Sequence, residues 1–215
     1  MPRNQLLSLL AQHSFKLGHF KLSSGGESDY YIDCRVTTLH AEGARLTGRV
    51  FLDEILRRGW APQAIGGMTM GADPIVVSVA MLSAQQLKPR SRELNPLEPQ
   101  TEASDFWIHG FLVRKAEKAH GTGQRIEGFR EKGARVVIVD DVCTTGASTI
   151  QAIEAAREFG FQIVGVMCLV EREDAGGRPA VEAAAGDAPF LSLYTAREVR
   201  AEHLRLFPEA INNLL

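Results

Sequence analysis

The stretch VVIVDDVCTTGAST, Val136 to Thr149, constrains the fold more than any other part of the chain. Four β-branched residues run without alternation, which suits a strand buried on both faces. Two adjacent carboxylates, Asp140 and Asp141, end the run, and small residues follow. Strand, charged strand end, small-residue turn and helix is the order of a β-α unit with a ligand beyond the carboxyl end of a parallel sheet. Adjacent carboxylates repel, and need solvent, a cation or hydroxyl groups to stay ionised there. Gly146 and Ala147 let backbone approach a ligand closely, and N–H groups at a helix start favour an anion. Thr144, Thr145, Ser148 and Thr149 add hydroxyls. The chemistry suits a monophosphate beside acids that accept from ribose hydroxyls. The plain alternative is a strand end with an ordinary helix cap. Neither GxxxxGK[ST] nor a helix-opening GxGxxG occurs, so nucleotide triphosphate and dinucleotide signatures are missing.

Apolar runs and helical spacings alternate along the rest of the chain. A first helix carries Leu6, Leu7, Leu9 and Leu10, and HFKLSSGGESDYYIDCR reads as two short strands around a Ser/Gly turn. Glu42 to Arg58 has helical spacing with Gly59 as its stop, and Ala64 to Gly67 begins a strand, glycine turn and helix from Pro74 to Leu82. FWIHGFLVRK reads as a strand followed by a polar loop through Gly133. Then come RVVIVDDV, a helix from Ser148 to Phe159, the strands IVGVMCLV and FLSLYT, and a short helix around Ala196 to Arg205. This predicts an α/β fold, a parallel sheet covered on both faces by helices, in one domain over residues 1–215. A polar insertion at about 85–105, with three prolines, breaks the rhythm.

The formal charge, 24 − 26 = −2, gives no broad field for nucleic acid or an anionic membrane. No apolar run reaches the roughly 18 residues of a membrane span, and the N-terminus has too short an apolar core for a secretory signal. Cys34, Cys143 and Cys168 are odd in number and widely spaced, which predicts reduced thiols and a cytoplasmic protein. No metal-binding CxxC pair occurs, and no protein-held metal site is expected.

Four further stretches could carry chemistry or plain structure. RKAEKAHGTGQRIEG places Arg114, Lys115, Lys118 and His120 within seven residues, either a solvated basic face or donors for a leaving group of growing charge. GGMTMGADP is a tight strand-to-helix turn or a close approach to a phosphorylated ligand. Tyr30, Tyr31 and Ile32 are packing residues or a stacking surface for a flat base. Arg172 in ERE forms a surface salt bridge or grips a carboxylate through two N–H groups.

A phosphate cradle, acids for ribose and a cationic loop together suggest a phosphoribosyl diphosphate site. VVIVDDVCTTGAST resembles the signature of type I phosphoribosyltransferases. RKAEKAHG followed by IEG resembles the catalytic loop of the orotate phosphoribosyltransferases, and LSSGGESDYYIDCR and ERE fit the same family. The resemblance implies transfer of ribose 5-phosphate from phosphoribosyl diphosphate to orotate in pyrimidine synthesis, with Mg²⁺ on the diphosphate. It implies a Rossmann-like parallel sheet flanked by helices with a small hood, about residues 1–40, and a homodimer that shares its active sites. By position, Asp140, Asp141, Val142, Cys143, Thr144, Thr145, Gly146, Ala147 and Ser148 would hold the ribose phosphate. Arg114, Lys115, Lys118 and His120 would bind diphosphate, and Lys118, His120, Asp140 and Asp141 would be the catalytic groups. Tyr31, Ile32, Thr144 and Arg172 would contact orotate, with Arg172 at its carboxylate.

The sequence departs from the family pattern at three places. Ser23 stands where a Lys is common, Thr69 and Met70 replace a frequent Tyr-Lys pair, and the polar insertion is long. The first two remove cations from the diphosphate side. Transfer to a purine would demote Arg172 to a surface residue. A non-catalytic regulator sensing phosphoribosyl diphosphate would be expected to lose the basic loop or gain a nucleic-acid-binding segment.

Overall fold

A computed structural model describes residues 1–21, 26–86, 107–115 and 125–209. Helix α1 (Pro2–Leu9) starts with proline in its first turn and runs into a wider turn, Leu10–Ser14. Strands β1 (Phe15–Lys21) and β2 (Glu27–Ile32) pair antiparallel as a separate small sheet, with Lys16 opposite Tyr31. A single turn, α2 (Arg35–Thr38), leads to α3 (Ala41–Arg58). His40 caps α3 by accepting from the Gly43 N–H, and Leu46, Val50, Phe51 and Ile55 recur on its buried side. Gly59, at φ 65°, ends it in the left-handed conformation that favours glycine.

The main sheet then begins with β3 (Ala64–Met68) and helix α4 (Asp73–Gln86), followed by β4 (His109–Val113), β5 (Ile126–Gly128) and β6 (Arg135–Cys143). Helix α5 (Ala147–Phe159), β7 (Gln162–Glu171), α6 (Arg178–Ala185), β8 (Phe190–Thr195) and α7 (Ala196–Leu206) complete the order. The strands lie as β5-β4-β3-β6-β7-β8, all parallel except β5, which is antiparallel to β4. Successive residues of β6 feed opposite cores. Val137 and Val139 pack with α1, α3, α4 and α7, whereas Val136 and Ile138 pack with α5 and α6. Each such buried side chain contributes roughly 1.5–3 kcal/mol, which is why the strand carries no polar alternation.

The parallel α/β reading therefore holds with one correction. β5 lies inside the segment read as a polar loop through Gly133. Three residues cannot display a period, yet Ile126 is buried against the core and closes the sheet edge. Helix α6 also escaped the sequence, because it is only eight residues long and buries just Val181 and Ala185. Helix α4 continues to Gln86, so the first two residues of the expected insertion are helical. Residues 87–106 lie outside the described residues. Among those described, no helix is long and apolar enough to cross a membrane.

Candidate active site

Strands β3, β4 and β6 end at one side of the sheet, and a cavity of about 670 Å³ opens there. That is ample for a small phosphorylated ligand. The hood side contributes Tyr31, Ile32, Asp33 and Arg35; the turn after β3 contributes Met68 to Gly71; β4 ends in Arg114 and Lys115; and β6 brings Asp140, Asp141, Val142, Thr144 and Ser148. Strand periodicity sorts the two tyrosines. Tyr31 is half-exposed toward the cavity, while Tyr30 is buried and stacks on Phe15.

The two acids lean in opposite directions. Asp140, 5% exposed, accepts from Thr149 Oγ1 at 2.7 Å, on the α5 side. Burial pushes its pKa up to about 7; the Thr149 hydrogen bond opposes this, and the neighbouring Asp141 charge adds to it. Asp141 is also raised, by burial, and lies against Gly71: a Cβ added to Gly71 would stand 2.3 Å from Asp141 Oδ1. Glycine at that position is what allows the turn after β3 to reach the acid. Gly146, at φ 78°, opens α5 and turns the chain out of β6. The acids therefore separate a helix N-terminus on one side from the Met68–Gly71 turn on the other. A polyhydroxyl ring between two anionic groups fits this layout.

Not every predicted residue meets there. Cys143 is buried in the core, and Thr145, Gly146 and Ala147 are outside the cavity lining. Arg172 is 7% exposed, faces the hood, and is also outside that lining. It donates through Nε to Tyr30 Oη at 3.0 Å, and through Nη2 to Asp174 Oδ2 at 2.7 Å and Ser28 Oγ at 3.2 Å. Tyr30 Oη donates in turn to Asp174 at 2.6 Å, and burial with that bond pushes the phenol up to about 12. Arg172 is thus a carboxylate grip already closed on an internal carboxylate. Lys118, His120 and Ser23 lie outside the described residues. Asp33 and Arg35 were missed as site residues, although the Asp-x-Arg spacing that folds one side chain onto the other stands in the sequence.

Residues 53–184, more than half of the chain, match the phosphoribosyl transferase domain family. The orotate phosphoribosyltransferase of Streptomyces avermitilis is 41% identical over 197 residues, covering 92% of this chain and 96% of its own. The chain belongs to the orotate phosphoribosyltransferase family. Solved family members agree in shape. The Mycobacterium tuberculosis orotate phosphoribosyltransferase in complex with Fe(III) dicitrate superposes with a TM-score of 0.71 at 33% identity, covering 93% of this chain and 99% of that one. The same enzyme in complex with 5-phospho-alpha-D-ribosyl 1-diphosphate gives 0.64 at 26% identity, covering 92% and 91%. The family's mostly parallel six-stranded sheet and small N-terminal sheet are the architecture described above.

Proposed function

We propose that the protein transfers the phosphoribosyl group of 5-phosphoribosyl 1-diphosphate to orotate, releasing diphosphate and giving orotidine 5′-phosphate for pyrimidine nucleotide synthesis. The observation that carries this reading is the β6 acid pair, set between a small-residue helix start and the Met68–Gly71 turn in one cavity that Arg114 and Lys115 also line. The Asp140–Ser148 segment would cradle the 5-phosphate, and Asp140 and Asp141 would accept from the ribose hydroxyls. Such donors favour the ionised carboxylate and would draw Asp140 below its ligand-free pKa of about 7. Tyr31 and Ile32 would line the base, with Thr144 between base and phosphate.

In the reaction, the bond from C1 to the diphosphate oxygen breaks and its electron pair leaves with diphosphate. A ring nitrogen of orotate supplies the pair for the new bond and gives up its proton, which leaves with the diphosphate. Positive charge on the sugar ring is favoured by the two acids, and Arg114, Lys115, Lys118 and His120 would neutralise the departing diphosphate. Mg²⁺ bound with the diphosphate would share that neutralisation. The carboxylates of Asp140 and Asp141 are hard oxygen donors of the kind it takes. Orotate's carboxylate would take over the edge of Arg172 that Asp174 now occupies.

A homodimer with shared sites belongs to the same proposal. Val36 and Leu39, at and just beyond α2, Val77 and Met81 on α4, and Met70 before α4 are exposed apolar side chains, and the two helices touch. Three buried free cysteines accord with a cytoplasmic location. The test is loss of orotate absorbance with phosphoribosyl diphosphate and Mg²⁺, run beside hypoxanthine, guanine and uracil. Orotate alone should be consumed; turnover of a purine without orotate would sink the proposal.

A further inference from the structure

Beyond the residues already assigned, we propose that Arg35, clamped by Asp33, is a diphosphate-binding residue on the side of the cavity facing the Met68–Gly71 turn. This rests on the phosphoribosyl-transfer reading and adds a group to it.

The side of the cavity follows from the acids. Asp140 leans on Thr149 at the α5 start, where the 5-phosphate has its helix N-terminus. Asp141 leans on Gly71. A ligand that spans both acids with anions at each end must place its second anion toward the Met68–Gly71 turn. That turn brings only Met68, Thr69, Met70 and Gly71 to the lining, none of them charged. The cations lining the cavity among the described residues are Arg35, Arg114 and Lys115. Arg35 opens α2, and α2 packs on α4, the helix that follows the turn. Arg35 is also near enough to Asp141 for each charge to stabilise the other.

The clamp determines what the guanidinium can still do. Nε donates to Asp33 Oδ1 at 2.8 Å and Nη2 to Asp33 Oδ2 at 2.9 Å. Asp33 Oδ1 also accepts from the Arg35 backbone N–H at 3.1 Å, which fixes the carboxylate at the start of α2. Nη1 has no protein partner among the described residues, and the side chain is half-exposed. One edge of the plane is therefore held and the other is presented. A planar fork fixed in this way loses little freedom when it binds a phosphoryl oxygen. An isolated surface ion pair would have no need to face a cavity whose other members are ribose acids and diphosphate cations. Arg172 fits the same anion less well, because it is buried and lies outside the cavity lining, whereas Arg35 is half-exposed within it.

The experiment compares Arg35→Gln and Asp33→Asn in the full chain. Steady-state kinetics would be paired with calorimetric binding of inorganic diphosphate in the presence of Mg²⁺. Arg35→Gln should raise both the KM for phosphoribosyl diphosphate and the Kd for diphosphate about tenfold, the size expected for one lost charge-assisted hydrogen bond. The KM for orotate should move less than about twofold, and Asp33→Asn, which keeps the cation, should cost less than about threefold in diphosphate affinity. Arg35→Lys should recover part of the loss.

Unchanged diphosphate affinity in Arg35→Gln overturns the proposal, as does a shift confined to the KM for orotate. It is overturned equally if Asp33→Asn reproduces the whole effect together with a loss of thermal stability, because α2 folding then explains it. Failure of the wild type to consume orotate would instead count against the broader reading, and the diphosphate titration would still decide the role of Arg35.

Discussion

Two neighbouring strands, β6 and β7, end side by side in charged residues, and the two ends are opposites. At the end of β7, Glu171 is buried with its carboxylate held by Arg178, through Nε at 2.8 Å and through Nη2, which also donates to Ser192. Burial would raise the Glu171 pKa, but the Arg178 and Ser192 bonds outweigh it and hold the acid below the usual carboxylate range. Arg172 beside it is closed on Asp174. At the end of β6, Asp140 is as deeply buried, yet no cation among the described residues bonds it and its pKa rises to about 7. One strand end satisfies its charges within the chain. The other leaves them for something outside it, and that contrast marks the functional site more sharply than the cavity does.

The largest expected effect comes from neutralising the open end. Asp140→Asn should lower kcat/KM on the order of 10³-fold, as removal of a preorganised transition-state contact does. Thermal unfolding at pH 8 should show no loss of stability. Near-normal turnover in that variant would break the comparison. Next is Gly71→Ala, whose new Cβ would displace the Asp141 carboxylate it meets at 2.3 Å. Its kcat/KM should fall by about 10²-fold, the scale of a small misplacement at a reacting centre.

The closed end should behave the other way. Arg178→Ala strands a buried Glu171, and Arg178 itself is partly exposed, so stability should fall by about 2 kcal/mol. Its kcat/KM should stay within about threefold of wild type, because the pair satisfies structure and not substrate.

The smallest effect is a difference in pH slope. Asp140 has a folded pKa above its unfolded value, so the fold holds the extra proton between about pH 4 and pH 7. Its contribution to stability is greatest in acid and is lost as pH rises through that window. Glu171 has the opposite sign: its contribution is present above the unfolded carboxylate pKa and is lost as pH falls. Denaturant unfolding of Asp140→Asn across about pH 4–8 should lack the first component, and that of Glu171→Gln, followed down to about pH 3, should lack the second. Identical slopes in the two variants would show the ends to be equivalent.

How much of this the sequence displayed depends on how each contact is made. The β6 strand, its acids and the following helix were legible because burial on both faces leaves an unbroken VVIV run and the turn needs small residues. Tyr31 and Tyr30 were legible as a pair but not as opposites, since their roles follow from the register of β2 against β1. The closure of Arg172 on Tyr30 and Ser28 was hidden because it joins residues 142 and 144 positions apart. Arg35 was hidden for another reason. Its partner is two residues away, but the cavity it faces is assembled from β3, β4 and β6. The antiparallel β5 was too short to show any pattern.

That short strand fixes the edge from which the described cations enter the cavity. β5 pairs with β4, and the Arg114 N–H donates to the Arg125 carbonyl at 2.9 Å. The end of β4 is thereby held on both flanks, by β3 on one side and by β5 on the other. A three-residue strand that lines no part of the cavity thus anchors the backbone from which Arg114 reaches the lining.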